Sequence, residues 1–202
     1  MKKIISILVS VNYGDILKKV IENNLSIVDD CIIITTPTDN QTIDIAKKYN
    51  LTYFTSISCY DNDAPFNKSK MINIGLKYIY DTYPNDIYLI MDADIILNKN
   101  IRKYITKVKH NYIYGTNRYI VEDINSELSD LNQFELEYTL GNYHCCIGYT
   151  QLFVDKKFYN EVYDTAAECD MDFAKSFKYN KIMDNCDSIH LGIIGKNWKG
   201  RI

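Results

Sequence analysis

The sequence predicts an α/β fold, a mostly parallel central sheet flanked by helices, on three observations. Short β-branched apolar runs alternate with stretches of helical periodicity. The run Ile87-Tyr88-Leu89-Ile90-Met91 is apolar throughout, as a strand buried on both faces must be. Finally, 202 residues at 47% hydrophobic and 24% charged suit one domain with a full core.

Taken in order, Ile4 to Val9 is a strand closed by Asn12-Tyr13-Gly14, and Asp15 is placed to cap a helix whose apolar face is Ile16, Val20 and Ile21. Cys31 to Thr35 repeats the strand, and Thr38-Asp39-Asn40 leads into a helix over Thr42 to Tyr49. Leu51 to Thr55 is a third short strand, followed by a polar loop from Ser58 to Asn67. Met71, Ile74, Leu76 and Ile79 give helical spacing over Asn67 to Tyr80, and Pro84 breaks it before the strand Ile87 to Met91. Beyond Asp94 the pattern predicts a helix around Asn100 to Lys109, a strand Tyr112 to Tyr114 and a helix around Leu131 to Leu140. A strand near Tyr149 to Val154, a helix near Asp170 to Lys178 and a short strand before His190 complete the order.

A formal charge of −3 without a basic run argues against a nucleic-acid partner. Met1-Lys2-Lys3 before Ile4 to Val11 imitates a signal peptide, but Ser6 and Ser10 interrupt the apolar stretch and no small-residue cleavage site follows. No apolar run approaches the roughly 20 residues that cross a bilayer, so no transmembrane segment is expected. The cysteines at 31, 59, 145, 146, 169 and 186 form no CxxC pair and read as reduced thiols of a cytoplasmic protein. His144-Cys145-Cys146 has no further ligand at metal spacing and reads as packing.

Ligands of an open parallel sheet bind beyond the carboxyl ends of its strands. Asp92-Ala93-Asp94 follows the most apolar strand directly, and two carboxylates there can hold a hard divalent cation. Spacing alone says little: 19 Asp give roughly two such triplets by chance, and Asp61/Asp63 and Asp170/Asp172 repeat the pattern. Position after a buried strand singles out Asp92 and Asp94. Near the end of the chain, His190 precedes Gly192, and Lys196, Trp198, Lys199 and Arg201 form a cluster suited to gripping a diphosphate. A structural histidine and a frayed terminus are the plain alternatives.

Phe66-Asn67-Lys68-Ser69-Lys70-Met71-Ile72-Asn73-Ile74-Gly75-Leu76, followed by Asp86 to Asp94, resembles the nucleotide-sugar-binding half of GT-A glycosyltransferases, especially family 2-like members. Those carry an Asn-Lys-Gly-x-Ala-x-Asn-x-Gly helix start and a strand ending in DxD; Ser69 departs from the usual Gly. The resemblance implies a single GT-A, Rossmann-like domain over 1–202. About 1–97 would bind the nucleotide sugar, and about 98–202 would bind the acceptor and close the metal site. It implies that Ser10, Val11 and Asn12 line the nucleotide pocket, Asp39 meets the base, and Lys68 and Asn73 stand near the ribose and diphosphate. Asp92, with Ala93 beside it, would face the ribose or metal, Asp94 would ligate the metal, and His190 would complete the site. In Glu168-Cys169-Asp170-Met171-Asp172, Asp170 is the expected base and Asp172 the second choice. Plainer readings are a solvated helix start for Lys68 and helix-dipole complementation for the acidic cluster.

The expected activity is transfer of a sugar from a nucleoside-diphosphate sugar, UDP-linked by preference, to a glycan or other hydroxyl acceptor with Mn²⁺ or Mg²⁺, inversion mildly favoured. Two alternatives are a sugar-phosphate nucleotidyltransferase, which usually has a Gly-rich basic loop after the first strand, and a non-catalytic binding protein of the same fold. Oligomeric state is not legible.

Overall fold

A computed structural model describes residues 2–137, 149–193 and 201. Its centre is a seven-stranded sheet. The first half of the chain supplies β1 (Ile4–Val9), β2 (Asp30–Thr35), β3 (Tyr53–Thr55) and β4 (Ile87–Asp92), all parallel neighbours in the order β4-β1-β2-β3. Beyond them come the two-residue β5 (Ile95–Ile96), β6 (Tyr112–Gly115), β7 (Arg118–Val121), β8 (Glu135–Glu137) and β9 (Thr150–Phe153). Last are β10 (Tyr179–Ile182) and β11 (Ser188–Leu191). β9 inserts antiparallel between β4 and β6, and β10 extends the edge parallel to β6. The mixed sheet is therefore mostly parallel, as predicted. A second sheet, β5-β11-β7-β8, stands beyond the end of β4.

Alternation along the strands sorts side chains to two faces. Ile4 and Leu8 of β1, Ile33 of β2, and Leu89 and Met91 of β4 join the core under α1 (Gly14–Leu25) and α2 (Asn40–Lys48). Ile5, Ile7, Ile32, Ile34, Tyr88 and Ile90 join the opposite core under α3 (Lys68–Thr82) and α4 (Ala166–Lys175). Gly75 lets α3 lie against β1: a Cβ there would stand 2.9 Å from Ile7 Cγ2. By the same alternation Asp92 is turned to the α3/α4 side.

Several element boundaries differ from the sequence expectation. Asp15 lies inside the first turn of α1 and makes no cap; Tyr13 is the N-cap residue. The polar stretch after β3 contains a 3₁₀ helix, Ser58–Asp63. The helix expected over Asn100 to Lys109 is a 3₁₀ helix, Lys99–Tyr104, whose buried Ile101 and Tyr104 are three apart and so share its face. A 3₁₀ turn, Leu131–Gln133, replaces the helix expected after Leu131, because residues 135–137 pair with β7 as β8; residues 138–140 lie outside those described. α4 starts four residues before Asp170, and Tyr179 already belongs to β10. Among the described residues no helix is long and apolar enough to cross a membrane, and Cys31, Cys59, Cys169 and Cys186 are free and buried.

Candidate active site

The sheet order turns at β1, between β2 and β4, so the crevice at a switch point opens beyond the carboxyl ends of β1 and β4. At the β1 side, Ser10 and Val11 are buried, and Ser10 Oγ lies 2.9 Å from Thr42 Oγ1. Asn12 takes the left-handed backbone at φ 59°. Asp39 fixes that turn. One carboxylate oxygen accepts from the Asn12 amide at 2.8 Å and the Thr35 hydroxyl at 3.1 Å, and the other accepts from the Thr42 amide at the start of α2. Asp39 is thus buried with both oxygens engaged in holding the turn and the start of α2. Arg201 returns to the same turn: it forks onto Asp15 at 2.6 and 3.1 Å, lies over the Tyr13 ring, and its carbonyl accepts from Asn12 Nδ2.

The β4 side divides where the strand ends, at Asp92. Asp92 meets α3 and α4: Lys68 Nζ donates to Asp92 Oδ1 at 2.6 Å and to Asp170 Oδ2 at 2.9 Å. Lys68 is 5% exposed and Asp170 3%, whereas the Asp92 side chain is 34% exposed. The Tyr159 hydroxyl lies between Gln151 Oε1, to which it makes a short bond, and Asp170 Oδ1 at 3.0 Å. Gln151 Nε2 donates to the Asp170 carbonyl at 3.3 Å. Burial pulls the Lys68 pKa down, but Asp170 and then Asp92 outweigh it, so the ammonium is held protonated. Burial and the nearby Asp92 raise the pKa of Asp170 to about 6 against the pull of Lys68.

Asp94, past the end of β4, meets the second sheet. His190 Nε2 lies 3.5 Å from its Oδ2. Asp94 Oδ1 is buried and has no hydrogen-bond partner among the described residues. Burial, with Asp92 next, raises its pKa to about 7, while Lys68 and Arg118 pull the other way. A hard carboxylate oxygen without a partner among the described residues, beside an imidazole nitrogen, is a pair of donors that fits Mn²⁺ or Mg²⁺. Among the described residues no three His, Cys, Asp or Glu side chains converge as a metal centre. Asp94 and His190 are the pair brought together, and Asp92 is turned toward Lys68.

Other expectations change with the contacts. Lys68, expected near the ribose and diphosphate, faces two carboxylates. Asn73 uses both ends of its amide to hold the later chain: Oδ1 accepts from the Tyr159 amide, and Nδ2 donates to the Tyr159 carbonyl and Glu161. Asp172 is half-buried and sits beside Tyr163, apart from the Lys68 network. Ala93 is buried between the two acids. Lys196, Trp198 and Lys199 lie outside the described residues, as do His144, Cys145 and Cys146.

No protein-family model matches the sequence, and no curated protein does. Solved structures do match the fold. One 4-diphosphocytidyl-2C-methyl-D-erythritol synthase aligns over 91% of this chain and 89% of its own at 12% identity, TM-score 0.54. The enzyme of that name from Anaerococcus prevotii aligns over 90% and 86% at 15% identity, TM-score 0.52. The CTP:phosphocholine cytidylyltransferase of Streptococcus pneumoniae aligns over 92% of each chain at 13% identity, TM-score 0.51. What these proteins share with this chain is the fold, a mostly parallel α/β sheet flanked by helices.

Two participants escaped the sequence reading. Tyr159 is one of 18 tyrosines and carries no local mark. Arg118 had a signal: an arginine beside an apolar strand. It is buried with its guanidinium over the Tyr149 ring at 4.2 Å and acts electrostatically on Asp94.

Proposed function

We propose that this protein is a divalent-metal-dependent transferase of nucleoside-diphosphate sugars that moves the sugar to a hydroxyl acceptor. The observation that carries this is the pairing of Asp94 and His190 beyond β4 at 3.5 Å, with Asp94 Oδ1 buried and unbonded among the described residues. Asp94 and His190 would hold the cation, with Asp92 beside them. When bound, the metal supplies Lewis-acid neutralisation of the departing diphosphate.

In the transfer the acceptor oxygen bonds the anomeric carbon, the carbon–oxygen bond to the diphosphate breaks, and the diphosphate leaves with the electron pair. The acceptor proton goes to a carboxylate, for which Asp170 is the proposed base and Asp172 the second choice. In this conformation Tyr159 covers Asp170 Oδ1 and Lys68 holds Oδ2, so the acceptor reaches Asp170 only after Tyr159 moves. Ser10, Val11 and Asn12 would form the wall of the nucleotide pocket. Free buried thiols and the sequence composition support a cytoplasmic setting.

Nucleotidyl transfer from a nucleoside triphosphate to a sugar phosphate is the second reading, and the structural neighbours favour it: the matched proteins are named as a synthase of a diphosphocytidyl compound and a cytidylyltransferase. The β1–α1 connection speaks for sugar transfer. Residues 10–13 contain no Lys or Arg, and the guanidinium of Arg201, which returns to this turn, is taken up by Asp15 in the first turn of α1, where a triphosphate would need free positive charge.

One pair of incubations decides. With Mn²⁺, UDP-, GDP-, dTDP- and CMP-linked sugars are each tested for nucleotide release. Nucleoside triphosphates with a sugar phosphate are tested for pyrophosphate release. Nucleotide release supports sugar transfer, pyrophosphate release replaces it with nucleotidyl transfer, and metal-dependent binding without either points to a non-catalytic binder.

A further inference from the structure

Lys68 is the first residue of α3, and the helix start is fixed from three sides. Asn67 caps it by accepting from the Lys70 amide, its own amide donates to the Cys59 carbonyl, and its side-chain nitrogen donates to the Glu161 carbonyl. An ammonium in that position faces the positive end of the helix dipole and has lost its water. It is maintained there by Asp92 at 2.6 Å and Asp170 at 2.9 Å. The two carboxylates differ in what else reaches them. Asp170 is sealed in the interior, whereas Asp92 is partly open and lies two residues from Asp94. A divalent cation approaching Asp92 therefore competes with an ammonium already bound to it.

We propose that Lys68 is a positioning residue that acts as the resident counter-cation of Asp92, and that it cedes Asp92 to an arriving divalent cation by closing onto Asp170. Asp170 then governs cation affinity without touching the cation, because it decides whether Lys68 has an alternative partner. The inference rests on the metal-dependent reading of the site.

The test is Mn²⁺ alone, titrated calorimetrically into the full chain and into Lys68→Met, Asp170→Asn and the double variant. Lys68→Met is expected to bind Mn²⁺ at least about tenfold more tightly than the unaltered protein, since the competitor is gone. Asp170→Asn is expected to bind about tenfold more weakly, since Lys68 is left to Asp92 alone. Simple addition of charges would give both signs, so the double variant is decisive. With Lys68 as mediator, Asp170→Asn changes affinity less than about twofold in the Lys68→Met background; a full tenfold loss there overturns the proposal, as do unchanged affinities in the single variants. Where Met at position 68 prevents folding, Lys68→Gln, which keeps a donor for both carboxylates, takes its place in the cycle. Absence of Mn²⁺ uptake by the unaltered protein overturns the metal-dependent reading and the proposal together. The expected pattern without any response to nucleotide sugars upholds the proposal and sinks only the nucleotide reading.

Discussion

Asp94 and His190 face each other at 3.5 Å across the junction of the two sheets, and the Leu191 amide donates to the Asp94 carbonyl at 2.9 Å. The main-chain bond anchors the acid's backbone, and β11 pairs with β5 so that His190 stands opposite Ile95. The strand that brings the imidazole thus also fixes the carboxylate it meets.

Replacing Asp94 with Asn should abolish the Mn²⁺-dependent part of nucleotide binding while the fold persists. Thermal shift with UDP, with and without Mn²⁺, measures this; a metal-dependent shift that survives would remove Asp94 from the metal site. The same variant has a pH signature. Asp94 is raised to about 7 from an ordinary 3.8, so the metal-free folded state binds a proton that the unfolded state releases. Its contribution is fully present below pH 3.8 and is lost as pH rises to about 7. The melting temperature of Asp94→Asn should therefore climb relative to the unaltered protein across that interval, by about a few degrees, and run parallel above it.

Asp39→Ala removes the α2 cap and the anchor of the Asn12 turn together. A loss of about 1–3 kcal/mol in denaturant unfolding is expected. Affinity for all four nucleotide classes should fall alike, because the turn is deformed and no base contact is removed. A selective loss for one base would restore Asp39 to the nucleotide.

Tyr159→Phe removes the one hydroxyl proton that Gln151 Oε1 and Asp170 Oδ1 share in the interior. Unfolding should cost about 1–3 kcal/mol less than in the unaltered protein, read as a lower urea midpoint at unchanged slope.

Gly75→Ala forces a methyl to within 2.9 Å of Ile7 Cγ2, between a helix and a central strand. We expect about 1–3 kcal/mol of destabilisation. Ile7→Ala, costly alone, should cost less in the Gly75→Ala background, and additive effects in that double-mutant cycle would show that α3 simply shifts.

The first half of the fold was legible because its strands are apolar runs and its helices carry a buried face. β1, β2, β4 and α3 fall within about two residues of their expected limits. Of the second sheet only the strand at His190 was expected, because β5 has two residues, β8 three and β7 four, too few to show a period of two. Asp92 closes β4, Asp94 follows it and His190 lies in β11, so their places in the fold could be read from the strand pattern. The partners of Lys68 could not, since they lie 24 and 102 residues away. Local chemistry misled at Asp15, whose carboxylate is claimed by Arg201 from 186 residues away.

The place of β9 has a consequence during synthesis. β4 has β1 on one side and β9 on the other, so after residue 92 has emerged its free edge waits until Thr150–Phe153 arrive. In that interval the nascent chain presents an uncovered strand, apolar from Ile87 to Met91, to the cell, and growth temperature and translation rate should govern the yield of folded protein more than the stability of the finished domain does.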